Sequence, residues 1–235
     1  IILLLFILGF IVIIIGNYIH LFLTKRGIDY ENKDTYSKIG KNNLAILIRV
    51  DRKELHVIDL SSNKIIKTYA VATGKEGTPT PLGTFKIAEK ARWGGGFGSR
   101  WMGLDVPWGK YGIHGTNQPG SIGFNVSGGC IRMRNKDVEE LYNMVEHDTT
   151  VTIVNGDYGP FSHGFEELRP GDRGADVMEV QKRLKIGGYY QGDIDGIYGE
   201  GMKQSLIKYL KDNNMELTDT IGYQIYEKLG IILMD

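Results

Sequence analysis

The chain has 235 residues, in which 28 lysines and arginines balance 28 aspartates and glutamates, and it contains a single cysteine. This balance gives no basic surface of the kind that nucleic-acid binding requires, so no nucleic-acid partner is expected. One cysteine excludes an intramolecular disulfide, and in an exported protein a single retained thiol fits a reactive role better than a structural one.

Residues 1–23 form an apolar stretch without any aspartate, glutamate, lysine or arginine. At about 1.5 Å per helical residue, this length can cross a hydrocarbon core of about 30 Å, which predicts a transmembrane anchor. The length and the lack of a small-x-small cleavage site argue against a signal peptide, and the missing polar face argues against a buried core helix. Residues 24–42 are polar and are predicted to form a stalk.

Residues 43–155 are predicted to form a mainly β domain with one clear helix. Stretches rich in isoleucine and valine are separated by polar turns, which is the pattern of a β-meander. The predicted strands cover residues 44–50, 54–60, 64–73, 83–87, 110–113 and 151–154. The helix is predicted to begin with Asn135 as its N-cap and to end near His147. The expected arrangement is β-sandwich-like around a single core.

Residues 91–108 contain all three tryptophans among several glycines and are predicted to form a loop. The tryptophans are Trp93, Trp101 and Trp108. Large rings on a glycine-rich loop either line a substrate cleft or cap a small core, and the sequence leaves both alternatives open.

The stretch of residues 111–134 holds Cys130, which follows His114 by sixteen positions. A thiol with a pKa of about 8.5 is mostly protonated at neutral pH unless a base or a positive charge lies beside it. His114 is a candidate for that base, at the end of a short predicted strand. Arg132 is expected to point to the same face of a strand as Cys130, because side chains alternate along a strand.

The small residues before Cys130 suit acyl transfer. Such a site stabilises the oxyanion of a tetrahedral intermediate with backbone N–H groups, and side chains there would obstruct the substrate. We therefore predict that the amides of Gly129 and Cys130 are the oxyanion donors and that Ser127 braces the turn by hydrogen bonding. The alternative, which spacing alone leaves open, is that Cys130 is an ordinary buried apolar residue.

The residues HGTN at 114–117 and SGGCIRM at 127–133 resemble the signature of the L,D-transpeptidase catalytic domain, the YkuD-like family. The resemblance implies a nucleophilic Cys130 and a His114 that is oriented by the backbone carbonyl of Gly115. One position departs from the family pattern, because the residue between the serine and the glycine is often His or Lys and is Gly128 here. TPTPLGTF at 78–85 also resembles this family, although a turn before an edge strand explains it locally.

Residues 156–166 are predicted to be a linker, and residues 167–235 a small all-α domain of three short helices. GDRGADVMEVQKRL at 171–184 and GGYYQGDIDGIYGEGM at 187–202 resemble the small peptidoglycan-binding domain that is often attached to wall enzymes. The resemblance weakens afterwards, since Tyr209 and Leu210 replace an expected phenylalanine-glutamine pair. This domain is expected to supply wall affinity rather than chemistry.

Together the resemblances imply a peptidoglycan L,D-transpeptidase. Cys130 would attack a carbonyl of a tetrapeptide stem, release the terminal D-alanine and pass the acyl group to the side-chain amine of a neighbouring stem. Arg132, Tyr111 and Trp101 are assigned to substrate binding. The expected partners are peptidoglycan stem peptides, the glycan and, through the N-terminal segment, the membrane. No cofactor or metal is expected, because the five histidines lack the spacing of a zinc peptidase.

The expected location is the wall-facing side of a bacterial cell membrane. Lys25 and Arg26, after the predicted anchor, conflict with this location, since positive charges favour the cytoplasmic side. Three other functions are alternatives. An L,D-carboxypeptidase results if water replaces the amine, and a non-catalytic wall scaffold is disfavoured by the intact set of His114, Cys130 and Arg132. A wall cysteine endopeptidase is disfavoured because the cysteine follows the histidine.

Overall fold

The structure, a computed structural model, describes residues 43–233. The predicted transmembrane anchor of residues 1–23 and the stalk lie outside the described residues. Within residues 43–233, no helix combines the length and the apolar character that crossing a membrane requires.

The first domain is mainly β, as predicted. In the described part of the chain its strands are β1 Leu44–Arg49, β2 Glu54–Asp59, β3 Lys64–Ala70, β4 Thr73–Gly74, β5 Gly83–Ala91, β6 Trp101–Leu104, β7 Tyr111–His114, β8 Asn125–Ser127, β9 Ile131–Arg132 and β10 Thr150–Val154. Eight of these form one sheet in the order β3-β2-β1-β10-β5-β6-β7-β9, while β4 and β8 pair with each other.

The long strand β5 connects the two halves of this sheet. Its first half pairs with β10 and its second half with β6, and the register shifts between Ile87 and Glu89. At the other end, the chain that leaves β3 pairs back onto β9 through Ala72 and Arg132. The expected sandwich-like arrangement is therefore corrected to one continuous, curled sheet, because a single strand is shared by both halves.

In β1, the alternation of apolar and other residues in the sequence matches the alternation of buried and partly exposed side chains in the structure. Leu44, Ile46 and Ile48 are buried, and the residues between them are partly exposed. β10 pairs parallel with β1 and adds Val151 and Ile153 to the same core. Fully burying such a side chain contributes about 1.5–3 kcal/mol, so this pair of strands holds the centre of the domain together.

The prediction of a loop over residues 91–108 is corrected, because strand β6 lies within this range. All four of its residues are buried, so apolar and polar side chains do not alternate along it. It also contains Gly103, a residue type that is depleted in strands. A side chain at Gly103 would come within 3.0 Å of the Trp101 ring. The strand lacks a period-two signal because both of its faces are covered.

Helix α1, Asn135–Met144, follows β9 directly. Asn135 is its first residue and not its N-cap, which is Arg134, and the helix ends before His147. The side-chain oxygen of Asn135 accepts a hydrogen bond of 3.2 Å from the Ser99 amide. The predicted cap is therefore corrected, since Asn135 holds a neighbouring loop instead.

The second domain contains the predicted helices, as α2 Ala175–Ile186, α3 Glu200–Asp212 and α4 Tyr223–Lys228. Their apolar faces meet in one core, which includes Val180, Leu206 and Tyr226. The segment of residues 156–166, predicted to be a linker, also contributes to this core. Its Phe161 is buried, and its Phe165 stacks on Tyr226 with ring centroids 4.4 Å apart.

Candidate active site

The parallel strands β7 and β9 bring the candidate site residues together. Ile113 is the register partner of Ile131, and both are fully buried on one face. His114 is the register partner of Arg132. Since side chains alternate along a strand, His114 and Arg132 lie on the opposite face, where Cys130 immediately precedes β9. The structure thus places the histidine, the cysteine and the arginine on a shared surface.

His114 is buried, and a backbone carbonyl orients its ring. Its Nδ1 lies 2.5 Å from the oxygen of Gly115, which is the contact implied by the family resemblance. A carbonyl oxygen only accepts hydrogen bonds, so Nδ1 carries the proton and Nε2 is the basic nitrogen. Burial lowers the pKa of His114, against the opposing effect of the Gly115 carbonyl, and the positive charge of Arg132 lowers it further. The ring therefore rests as a neutral imidazole that is able to accept a proton.

Cys130 is partly exposed and is a free thiol. Burial raises the pKa of Cys130, and the Gly112 backbone and the Arg132 charge oppose this shift only in part. The group therefore rests as a thiol at neutral pH. Reaction through sulfur then requires that a base removes the proton during attack, because the thiolate is the nucleophilic form.

Ser127 braces the turn before the cysteine through two hydrogen bonds. Its Oγ donates to the Cys130 carbonyl at 2.6 Å and accepts from the Gly129 amide at 3.1 Å. The second bond corrects the prediction for Gly129, since an amide that already donates to Ser127 is not free to stabilise an oxyanion. The Cys130 amide stays the predicted donor.

The two glycines of this turn differ in the space around them. Gly129 has φ +109°, and a Cβ there would lie 2.6 Å from the Tyr111 ring, so only glycine fits. At Gly128 a Cβ would have no neighbour within 4 Å. The position where the family often carries His or Lys is therefore open in this chain, and the Tyr111 ring forms one side of the turn.

Trp101 supports His114 and is not exposed to a substrate. Its side chain is 1% exposed, and its Nε1 donates to Glu89 at 3.0 Å. Its ring stacks on Trp93 at 4.6 Å and lies 5.9 Å from the His114 ring. The assignment of Trp101 to substrate binding is therefore corrected, because a fully buried ring contributes only to the core behind the histidine.

Phe97 is a site residue that the sequence analysis missed. Its ring contacts the His114 ring edge to face at 5.1 Å, yet its side chain is 44% exposed. It lies in a short 3-10 turn, Gly95–Phe97. The available signal was a single aromatic residue in a run of glycines that lies between two of the tryptophans.

Arg132 brings an unpaired donor to the cysteine's face. Its Nε is buried and has no hydrogen-bond partner among residues 43–233. A buried donor without a partner costs about 1–3 kcal/mol, and more when the group is charged. An anion that contacts this guanidinium offsets that cost, so the arginine favours a carboxylate ligand.

Within the described range of 43–233, no three histidine, cysteine, aspartate or glutamate side chains are grouped as a metal site requires. The chemistry that the described residues present is thus a thiol, an oriented imidazole and a guanidinium.

Comparisons with known proteins agree with this set of groups. Residues 45–153 match the family model of the L,D-transpeptidase catalytic domain, and residues 173–229 match that of a peptidoglycan-binding domain. The chain therefore belongs to the L,D-transpeptidase family, with a peptidoglycan-binding domain after its catalytic domain.

Two relatives from Bacillus subtilis are named as L,D-transpeptidases. YkuD is 53% identical over 93 residues, which cover 39% of this chain and 56% of YkuD. YqjB is 36% identical over 150 residues, which cover 55% of this chain and 81% of YqjB. The chain thus spans about half the length of YkuD.

Among solved structures, the catalytic domain of the Enterococcus faecium L,D-transpeptidase is similar, with 26% identity and a TM-score of 0.41. The match covers 48% of this chain and 97% of that domain.

Proposed function

We propose that this chain is a peptidoglycan L,D-transpeptidase that forms stem-peptide cross-links through an acyl group carried on Cys130. The observation that carries the proposal is the hydrogen bond from His114 Nδ1 to the Gly115 carbonyl. It leaves Nε2 as the ring nitrogen that is able to accept a proton, and we infer that this nitrogen serves Cys130. A cysteine beside an oriented base is the arrangement of nucleophilic catalysis.

The first half-reaction transfers the donor stem to the enzyme. Nε2 of His114 takes the proton of Cys130 while Sγ forms a bond to the donor carbonyl carbon. The bond from that carbon to the nitrogen of the terminal D-alanine then breaks, and the imidazolium returns its proton to this leaving amine. The Cys130 amide is the donor for the transient oxyanion, and Arg132 is the partner for a donor carboxylate.

The second half-reaction transfers the acyl group to the acceptor. The nitrogen of a side-chain amine forms a bond to the thioester carbon, and the bond from that carbon to Sγ breaks. His114 takes the amine proton and passes it to Sγ, which regenerates the thiol. If water attacks instead, the product is a trimmed tripeptide and the enzyme acts as an L,D-carboxypeptidase.

The test is to incubate the purified protein with a defined tetrapeptide stem and to identify the products by mass. A cross-linked dimer with released D-alanine is expected, and a Cys130→Ala variant should form none. A trimmed tripeptide alone would assign carboxypeptidase activity. The absence of both products from a folded protein would support the non-catalytic scaffold.

The proposed location follows from the substrate and from the apolar residues 1–23. We place these residues as a single-pass anchor and the catalytic domain on the wall-facing side of the membrane. Because Lys25 and Arg26 favour the opposite orientation, protease protection in spheroplasts is the direct test. Cleavage of the catalytic domain by external protease is the expected result, and full protection would refute the location.

A further inference from the structure

A cavity of about 710 Å³ lies between the catalytic domain and the helical domain. Its volume falls in the range of about 300–1,000 Å³ that is typical of ligand sites. On the catalytic side it is lined by residues of the loop 74–82, by Tyr111 and by Gly128. Gly128 belongs to the turn that leads into Cys130, so the cavity borders the candidate active site.

The opposite wall is formed by residues 173–176 of the helical domain and by Glu166 of the segment that precedes it. Contacts between the domains hold this wall in place. A Cβ at Gly196 would lie 2.6 Å from the ring of Trp108, and one at Gly83 would lie 3.1 Å from the Cβ of Ala175. The close approach at these glycines means that the second domain is a part of the cavity and not only an appended module.

The cavity is lined by charges of both signs. Its charged side chains are Lys53, Lys75, Glu76, Glu166, Arg173 and Asp176. Among the described residues, none of these six forms a salt bridge. Burial raises the pKa of Asp176, only partly opposed by its hydrogen bond from the Val177 amide. Such a surface is complementary to a ligand that carries both ammonium and carboxylate groups.

We propose that this cavity binds the acceptor of the transfer reaction, an amine-bearing stem peptide, and that Arg173 and Asp176 of the helical domain determine its affinity. The inference rests on the proposed function. Cys130, His114 and Arg132 do not line the cavity, so a ligand there leaves the thiol and the guanidinium to the donor. A peptide bound on the Gly128 side of the turn lies beside the acyl group instead of competing for its place.

Binding at this position explains how an amine outcompetes water for the acyl group. A held acceptor reacts as if it were highly concentrated, because its translational and rotational entropy is lost before the reaction. The helical domain would thereby act in two ways, by holding the chain on the wall and by completing the acceptor site. This second role goes beyond the wall affinity that the sequence predicts for the helical domain.

The test uses the full chain with a fixed donor tetrapeptide and increasing amounts of a stem peptide that contains the acceptor amine. The ratio of cross-linked to hydrolysed product is measured for Asp176→Asn and Arg173→Gln. Asp176→Asn removes the charge at nearly constant size, and Arg173→Gln removes the charge and shortens an exposed side chain. Glu216→Gln and Lys211→Gln, on exposed residues that do not line the cavity, are the matched controls.

The expected result is a rise of at least about fivefold in the acceptor KM for each cavity variant, and a shift of products towards hydrolysis, with neither effect in the controls. An acceptor KM within twofold of the wild-type value would overturn the inference while leaving the proposed function intact. If the cavity variants also release D-alanine at least about fivefold more slowly when no acceptor is present, the donor binds in the cavity and the inference is overturned. A wild-type chain that transfers nothing would refute both proposals. If Asp176→Asn melts early, Arg173→Gln, on an exposed side chain, carries the test.

Discussion

Arg132 and Arg134 lie two positions apart and differ in their surroundings. The Nε of Arg132 is buried beside the cysteine's face without a partner among residues 43–233. Arg134 has a side chain that is 56% exposed and lies 4.0 Å from Asp137. Substitution of Arg132 therefore tests binding of a ligand, and the same substitution at Arg134 is the control for the loss of a surface guanidinium.

Arg132→Lys should lower kcat/KM for a stem peptide by at least about tenfold, which is about 1.4 kcal/mol of transition-state stabilisation. A guanidinium makes two parallel hydrogen bonds to a carboxylate, whereas lysine offers a single ammonium. Steady-state kinetics of both variants, with thermal melts to verify folding, are the measurement. Arg134→Lys should change little, and equal kinetics for the two variants would remove Arg132 from the site.

The pH dependence of the thiol is a second prediction at this scale. Because burial raises the pKa of Cys130, the pH at which half of this thiol is ionised lies above that of an ordinary thiol. The rate of alkylation by iodoacetamide should therefore increase with pH, and the midpoint of this increase should lie at a higher pH than the midpoint for a free thiol. Burial lowers the pKa of His114, so the imidazole is mostly neutral at neutral pH and contributes little positive charge to stabilise a thiolate.

The control for this prediction is His114→Ala, which should keep the alkaline midpoint nearly unchanged. A plateau of alkylation below pH 7 that disappears in His114→Ala would show a resting thiolate–imidazolium pair instead. That outcome would contradict activation of the thiol during attack.

At the scale of elements, the turn of residues 127–130 depends on one of its two glycines. Gly129→Ala should lower the free energy of unfolding by about 1–3 kcal/mol, because φ is +109° and the Tyr111 ring occupies the space of a Cβ. Gly128→Ala, whose Cβ would meet nothing within 4 Å, should change it by less than about 0.5 kcal/mol. Denaturant unfolding of both variants gives the comparison, and similar losses would show that the turn is not held as described.

Strand β6 acts on the site through Trp101, which is therefore a positioning residue. Trp101→Phe should keep the ring contact with His114 in part but lose the hydrogen bond to Glu89. We expect a loss of about 1–2 kcal/mol in stability and a lower kcat with little change in KM, since the histidine and not the substrate is disturbed. A selective rise in KM, with kcat unchanged, would return Trp101 to the substrate site.

At the scale of the whole molecule, Trp108 couples the two domains. Its ring packs against Gly196 of the helical domain and lies 5.8 Å from the Phe85 ring of the catalytic domain, edge to face. Removing the ring leaves the core of each domain in place but takes away a contact between them. The same position therefore tests whether catalysis depends on the arrangement of the domains.

Trp108→Ala should increase the radius of gyration in solution scattering and lower cross-linking, while sedimentation with insoluble cell wall stays close to that of the wild type. The reason is that we expect wall affinity to come from the helical domain, which matches a peptidoglycan-binding family model, whereas the cavity requires both domains. Equal cross-linking in a chain with separated domains would show that the catalytic domain works alone.

The sequence alone predicted most of the elements and the candidate chemistry, because both predictions depend on residues that are near each other in the chain. The alternation in β1 and the helical spacing in α2 and α3 predicted those elements directly. The residues before Cys130 predicted the brace by Ser127, which its two hydrogen bonds confirm, and the pairing of His114 with Cys130 in catalysis stays a prediction.

The tertiary structure decided where each predicted group is used, because packing joins residues that are distant in sequence. Strand β6 shows no period-two pattern because both of its faces are buried. The Trp101 ring packs behind His114, which makes this residue a support for the histidine and not a substrate contact. A hydrogen bond to Ser127 took the Gly129 amide out of the predicted oxyanion site. The cavity between the domains depends on the approach of Gly196 to Trp108, and no local pattern encodes that contact.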